Sequence, residues 1–345
     1  METIRVELAE RSYPIVIGAE VLDQVRDFIP AEVAKIAVVT QENIPHRPDL
    51  EGLDFRVFTV PDGEDAKSMS VAAELAEGVA EFGLSRSDLV VAVGGGVVTD
   101  LAGFVASVYY RGIRYLNVAT TLLAQVDAAI GGKTGVNLPA GKNLVGSFWQ
   151  PSAVICDVST LSTLNPREYS SGLGEMAKYE FLGSGRLDAR DLESAVARCV
   201  AIKAAYVSRD EREGGKRALL NYGHTMGHAI EALGLAGKSE HLYHGEAVAI
   251  GLVFAAHLAH SLGRIGYNEL NAHYEVVERM GLPRWLPEGL DVEETFPYLE
   301  RDKKAMGSMT FVLESAAADG LEVVRGVSRE DVRRAWAEML DGRPR

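Results

Sequence analysis

Five short β-branched runs, most of them nearly continuous in apolar residues, recur through the first 160 residues: 35–40 (KIAVVT), 55–60 (FRVFTV), 88–93 (DLVVAV), 115–118 (YLNV) and 153–158 (AVICDV). Strands buried on both faces read this way, because neither face is left to carry polar side chains. Helical spacing fills 68–82 and 101–109 between them. Strand–helix alternation buries its apolar faces as a parallel sheet covered by helices. The opening stretch, 4–17, alternates more loosely and reads as an antiparallel pair flanking that sheet.

Beyond residue 168 the β-branched runs give way to Ala, Leu and Glu at helical spacing, over 174–182, 187–208, 216–233, 245–262 and 267–280. One late strand pair is expected, 309–313 with 322–324, around the turn signal Asp319-Gly320. A last helix runs from the N-cap Ser328 to about Leu340. The fold class is therefore α/β: a parallel-sheet domain over 1–168, then a mostly α-helical domain over 169–345, with a ligand cleft expected between them. A chain of 345 residues suits two domains.

Charge narrows the partners. With 35 basic and 49 acidic residues the net charge is 35 − 49 = −14, which argues against a basic face for nucleic acid. Cys156 and Cys199 form no close pair, so neither a disulfide framework nor a thiolate zinc site is expected. No apolar leader opens the chain, and stretches such as 247–258 are too short to span a bilayer. The expectation is a cytoplasmic protein with no nucleic-acid or membrane partner.

Three segments carry chemistry. In 91–100 (VAVGGGVVTD) a strand runs through Gly94, Gly95 and Gly96 into a helix, a place where backbone N–H groups meet a phosphate. Thr99 stands where a strict dinucleotide fingerprint needs its third glycine. The second segment, 120–143, places Asp127, Lys133, Lys142 and Asn143 in an apolar, glycine-rich stretch, which suggests a concave anion site. Its Gly132-Lys133-Thr134 ends like a P-loop but lacks the earlier glycine.

The third holds four of the eight histidines: His224, His228, His241 and His244. If 216–233 is one helix, Arg217, Asn221, His224 and His228 share a face at steps of 4, 3 and 4. Apolar residues fill the other faces, so the polar stripe should line a cleft. His244 opens the next helix. An oxygen ligand would complete a zinc site with an open position, and Glu175, with Lys178 one turn on, is the best candidate.

Seven blocks in order then make the chain resemble the 3-dehydroquinate synthases: DGEDAK (62–67), GGGVVTDLAGFVASVYYRG (94–112), TTLLAQVDAAIGGKTGVNLPAGKNLVGSFWQP (120–151), GLGEMAK (172–178), RALLNYGHTMGHAIE (217–231), HGEAVAIG (244–251) and RDKK (301–304). The wider sugar phosphate cyclase group shares most of them. Thr99, Ala119, Met176-Ala177 and Glu180 depart from the family's usual residues.

The resemblance implies a Rossmann-like N-terminal domain and an active site at the domain cleft. It implies Zn2+ or Co2+ on Glu175, His224 and His244, and NAD+ on Asp62, Gly63, Glu64, Asp65, Ala66, Lys67, Gly94, Gly95, Gly96, Val97, Val98, Thr99, Asp100, Thr120, Thr121, Lys133, Lys142, Thr160, Leu161, Ser162 and Thr163. Glu64 would accept from ribose hydroxyls, which favours NAD over NADP. The implied substrate is 3-deoxy-D-arabino-heptulosonate 7-phosphate. Its phosphate would meet Lys133, Asn143, Asn221 and, from a second subunit of a homodimer, Arg111. Its carboxylate would meet Lys203, Arg217 and Lys303 or Lys304. Asp127, Lys178 and His228 would lie near the reacting carbons. Transient oxidation by NAD+, phosphate elimination, re-reduction and an aldol closure would give 3-dehydroquinate. A sister cyclase and a glycerol-dehydrogenase-type alcohol dehydrogenase are the rival expectations.

Overall fold

The computed structural model describes residues 1–300, 309–315 and 320–342. Lys303 and Lys304, and the Asp319 half of the late turn, lie outside the described residues.

The strands of the first half are β1 (Glu2–Val6), β2 (Tyr13–Gly18), β3 (Lys35–Gln41), β4 (Asp54–Val60), β5 (Leu89–Gly94), β6 (Arg114–Ala119), β7 (Lys133–Leu138), β8 (Gly141–Phe148) and β9 (Val154–Asp157). Seven of them form one sheet in the order β1-β2-β9-β6-β5-β3-β4. β1 pairs antiparallel with β2, and every other pairing in the sheet is parallel. The five apolar runs are thus five parallel strands. β5 is buried along its whole length, as a strand covered on both faces must be. β4 is one of the two edge strands and leaves Phe55 and Val57 exposed. The opening pair does more than flank the sheet, since β2 joins it beside β9.

Helices α1 (Met69–Phe82) and α2 (Gly96–Val108) follow β4 and β5. Ser68 caps α1 by accepting from the Val71 N–H, and Gly83 ends it in a left-handed conformation. Between the strands, the buried carboxylate of Asp88 accepts from the backbone N–H groups of Ala34, Lys35 and Ser85 at 2.9, 2.9 and 2.6 Å. Burial raises this carboxyl, but those hydrogen bonds and the Ser85 side chain outweigh it and hold it below the usual range. Its stabilisation is present above the ordinary carboxylate pKa and lost as pH falls through the lower folded value. Asp88→Ala should therefore cost about 2–4 kcal/mol in urea unfolding at neutral pH, and less as the pH approaches that value. An unchanged midpoint at neutral pH would refute the assignment.

The sequence missed the β7–β8 hairpin. The stretch GKTGVNLPAGKN lacks the β-branched alternation of a strand, and no strand was expected there. Its strands approach so closely that a Cβ on Gly146 would sit 2.2 Å from the Thr134 carbonyl oxygen. Two antiparallel strands there need glycine more than they need β-branching.

The chain divides into two compact units, Met1–Asn165 with Arg190–Arg212, and Pro166–Ala189 with Glu213–Arg345. A single boundary at 168 therefore misplaces one helix. After α3 (Pro166–Tyr179) the chain returns α4 (Leu192–Arg209) to the first unit, where it packs on β1 and β2. Helical periodicity says which face a helix buries, not against which sheet.

In the second unit α5 (His224–Leu235), α6 (His244–Ser261), α7 (Tyr267–Arg279) and α8 (Val292–Leu299) precede β10 (Met309–Ser315), β11 (Gly320–Val327) and α9 (Arg329–Asp341). The two strands pair antiparallel, and Ser328 caps α9 as expected. α6 is buried from Ala247 to Ala259, apolar but for His257, because α3, α5, α7, α9 and β10 surround it. No helix among the described residues is long and apolar enough to cross a membrane.

One helix of the sequence reading is broken. Residues Lys216–Asn221 form a 3-10 turn, and Gly223, at φ +78°, starts α5 afresh. Arg217 and Asn221 do not share a helical face with His224 and His228. Glycine tolerates that left-handed conformation, whereas the 3.6-residue period assumed the backbone ran on.

Candidate functional site

Three elements of the second unit bring their polar residues to one point. α3 supplies Glu175 and Lys178, the first two turns of α5 supply His224 and His228, and the first residue of α6 is His244. The elements can come this close because the helices touch backbone to backbone. A Cβ on Gly174 would lie 2.0 Å from the Gly245 carbonyl oxygen, and one on Gly251 would lie 1.9 Å from that of Gly223.

Glu175 is fully buried. Its Oε1 lies 3.1 Å from His224 Nε2 and 3.0 Å from His244 Nε2. Lys178, 1% exposed, forms an ion pair with Oε2. Burial raises the Glu175 carboxyl, but Lys178 and His224 outweigh it and hold it well below the usual range. The carboxylate is therefore ionised, with one oxygen against an ammonium and the other facing two imidazoles.

The far nitrogens of both rings are fixed. His224 Nδ1 donates to the Tyr222 carbonyl oxygen at 3.0 Å, since that oxygen can only accept. His244 Nδ1 lies 3.2 Å from Glu231 Oε2. Burial lowers the His244 imidazole, but hydrogen bonds to Glu175 and Glu231 carry it up to about 10. Two carboxylates thus favour a positive charge at this point. Imidazoles tied by Nδ1 to a carbonyl and a carboxylate, with Nε2 turned to a buried carboxylate, fit a divalent cation and its outer partners. His228 joins the cluster: ring nitrogens of His224, His228 and His244 lie within 4.8 Å of one another. His241 takes no part; its ring sits against Tyr243.

Glu231 was missed. It stands seven residues after His224, two turns along the same face, and that spacing was there to be read. Tyr222 was missed because it acts through its backbone. The other two members of the expected stripe stand in the 3-10 segment before α5. Arg217 is 2% exposed, and Asn221 donates to Glu213 at 2.8 Å.

The first unit gathers most of the remaining candidates. β5 ends at Gly94 and α2 begins at Gly96, so the glycine loop sits at a strand-to-helix junction. A Cβ on Gly95 would lie 2.9 Å from Thr121, and Thr120 donates its N–H to the Gly94 carbonyl at 3.0 Å. Val97 and Val98 continue the first turn of α2. Thr99 fits inside it by donating its hydroxyl to the Gly96 carbonyl at 3.2 Å. Lys67, on the turn after Asp62, Gly63, Glu64, Asp65 and Ala66, pairs with Asp100 at 2.5 Å. Burial raises the Asp100 carboxyl in spite of that lysine.

The missed hairpin ties this turn down. Asn137 donates its N–H to the Lys67 carbonyl at 2.8 Å and its amide to Glu64 at 2.6 Å, and accepts from the Asn143 N–H at 2.8 Å. Lys133, Lys142 and Asn143 are exposed on the same hairpin. Asp127 and Lys203 meet each other, at 2.7 Å through Oδ1. Arg111 is exposed, with Tyr110 and Arg111 both at positive φ. In the turn that holds Leu161, the hydroxyls of Thr160, Ser162 and Thr163 donate to carbonyls of their own turn.

The sequence matches family models along most of this framework, the 3-dehydroquinate synthase N-terminal model over residues 57–171 and the C-terminal model over 172–305. It is 45% identical over 344 residues, 99% of this chain and 95% of the other, to a protein of Amycolatopsis mediterranei (strain S699) named "Putative aminodehydroquinate synthase". It is 39% identical to the 3-dehydroquinate synthase of Desulforamulus reducens, over 96% of this chain and 98% of the other. Among solved structures, 2-deoxy-scyllo-inosose synthase complexed with carbaglucose-6-phosphate, NAD+ and Co2+ superposes with a TM-score of 0.84 at 27% identity, covering 98% of this chain and 100% of that one. With both halves matched in order, and the glutamate and histidines of its second unit converging within the matched segments, this chain belongs to the 3-dehydroquinate synthase family.

Proposed function

We propose that the chain converts 3-deoxy-D-arabino-heptulosonate 7-phosphate to 3-dehydroquinate and inorganic phosphate, using NAD+ and one divalent cation, Zn2+ or Co2+. The convergence of Glu175, His224 and His244, with Tyr222 and Glu231 behind the two histidines, carries this reading. Bound there, the cation would supply Lewis acidity to a coordinated hydroxyl, and NAD+ a hydride acceptor that gives the hydride back within the turnover.

The chain's own residues divide the remaining work. Lys178 holds one Glu175 oxygen, so the carboxylate presents the other to the imidazoles. Glu64, held by Asn137, offers oxygen acceptors to ribose hydroxyls, while the glycines at 94–96 and the start of α2 admit a pyrophosphate. Lys133, Lys142 and Asn143 supply charge and polar groups for phosphate. Lys203 holds Asp127, which would meet substrate hydroxyls. The carboxylate role of Arg217 loses its helical-face argument, because α5 begins only at His224. The family resemblance adds a homodimer and a cytoplasmic setting to the reading.

The test is incubation with the heptulosonate phosphate, metal and a trace of NAD+. Phosphate should appear over many turnovers per NAD+ with no accumulation of NADH. Stoichiometric NADH would make the chain a dehydrogenase instead. The relative named for aminodehydroquinate favours a second reading, the same cyclisation yielding an amino-bearing product. A direct competition decides it: faster turnover of the amino substrate would assign the second reading.

A further inference from the structure

Behind His224 lies a buried cluster of side chains to which the proposed reaction gives no part. His273 of α7 is fully buried, and its Nδ1 lies 2.8 Å from the Glu269 carbonyl oxygen. A carbonyl only accepts, so that nitrogen carries the proton. Burial pushes the imidazole down to about 4, so the ring is neutral and its Nε2 offers a lone pair. Tyr222, also fully buried, places its hydroxyl 2.7 Å from that nitrogen and donates to it. Phe181, in the π-helical turn that continues α3, stacks flat on the His273 ring at 4.0 Å and 6°, and meets Tyr222 edge-on at 5.8 Å.

This cluster touches two of the three elements that carry the proposed metal ligands. Phe181 extends the helix of Glu175. Tyr222 sits immediately before Gly223, at the break where α5 starts, and its carbonyl receives His224 Nδ1–H. At this break the Tyr222 N–H donates to the Leu219 carbonyl at 3.2 Å, while its own carbonyl stands just outside α5 and faces the His224 ring. The ring and hydroxyl of Tyr222 are clamped from the other side by His273 and Phe181.

We infer that the Tyr222–His273 hydrogen bond is a positioning device for the metal centre: it fixes the Tyr222 carbonyl, and through it the tautomer and ring angle of His224. Tyr222 and His273 are positioning residues, since neither meets the proposed metal, cofactor or substrate. Outer partners of ligating histidines typically contribute 10–100-fold in metal affinity. The inference rests on the metal reading above.

The test measures Zn2+ affinity by competition with a chromophoric chelator, the visible spectrum of the Co2+ form, and thermal unfolding. Tyr222→Phe keeps the ring and removes the donor. It should bind Zn2+ at least about tenfold more weakly and shift the Co2+ bands. His273→Leu should do the same. His273→Gln, whose amide oxygen can take the place of Nε2, should stay within about threefold of wild type. Met339→Ala, a buried change on α9, should lower the unfolding temperature yet leave zinc affinity alone. Wild-type affinity and an unaltered Co2+ spectrum in Tyr222→Phe would overturn the inference. So would an equal loss of affinity in Met339→Ala, which would make the effect one of general stability. If Tyr222→Phe does not fold, the contrast between His273→Leu and His273→Gln decides. Failure of the wild type to bind Zn2+ or Co2+ would instead sink the metal reading itself.

Discussion

His224→Ala should lower bound metal far below one per chain and reduce phosphate release by at least about a thousandfold, while the protein stays folded. The side chain is small against the core around it, and its removal loses two contacts, to the Tyr222 carbonyl and to Glu175 Oε1, which keeps His244. That is about 1–3 kcal/mol. The lost activity would correspond to about 4 kcal/mol of barrier, so the two effects separate cleanly. His241→Ala is the matched control. His241 offers its backbone carbonyl to Arg167, which alanine would keep. Dialysis against a chelator should reproduce the His224→Ala phenotype, and added Zn2+ or Co2+ should restore wild type but not the variant. Full metal content and activity in His224→Ala would remove His224 from the ligand set. His228 offers a second comparison. Its nitrogen lies in the histidine cluster, yet Glu175 Oε1 is the atom that faces both His224 and His244. Glu175→Gln should therefore cost more metal than His228→Gln, and the reverse order would exchange their roles.

The parallel sheet was legible because burial on both faces leaves a plain mark, a run of β-branched residues with no polar alternation. The convergence of Glu175, His224 and His244 was legible because carboxylate and imidazole side chains are scarce inside apolar helices. What escaped the sequence was of two kinds. Backbone geometry was one: Gly223 breaks the helix that periodicity drew from 216 to 233, so the stripe from Arg217 to His228 was a projection onto a helix that does not exist. The β7–β8 hairpin was missed for the same reason, since its glycines serve strand approach rather than strand propensity. The other kind was partnership. Lys203 and Asp127, given separate duties by the family resemblance, form one ion pair. Asn137, with no charge to attract notice, joins Glu64 to Asn143. α4 carries a helical pattern that fits either unit, and only packing assigns it.

Gly245→Ala should disable the site without touching any candidate ligand. By helix propensity alone the change would help, since alanine is favoured over glycine by about 1 kcal/mol inside a helix. Packing opposes it. A Cβ at residue 245 would lie 1.7 Å from the Ser171 carbonyl oxygen, and the Gly245 N–H donates to the Ser171 hydroxyl at 3.0 Å. Carbon and oxygen sit comfortably only beyond about 3.3 Å. The start of α6 must then move away from α3 by an ångström or more. Neither side can yield cheaply, because the oxygen is helix backbone and the Cβ is fixed directly to the other helix's backbone. Overpacking of this kind costs about 1–3 kcal/mol or more, enough to outweigh the propensity gain. His244 is the residue before, so it moves with the helix, away from Glu175. Misplacement by about 1 Å costs on the order of a hundredfold in catalysis. Gly245→Ala should therefore unfold at lower temperature, bind Zn2+ at least about tenfold more weakly, and release phosphate about a hundredfold more slowly. Gly237→Ala provides the contrast. Gly237 also follows α5 at a left-handed φ of +70°, but nothing lies within 4 Å of its added Cβ. It should cost about 1 kcal/mol of backbone strain and no metal. Normal zinc affinity in Gly245→Ala would mean that α3 and α6 do not meet backbone to backbone, and that something other than glycine contact brings Glu175 to His244.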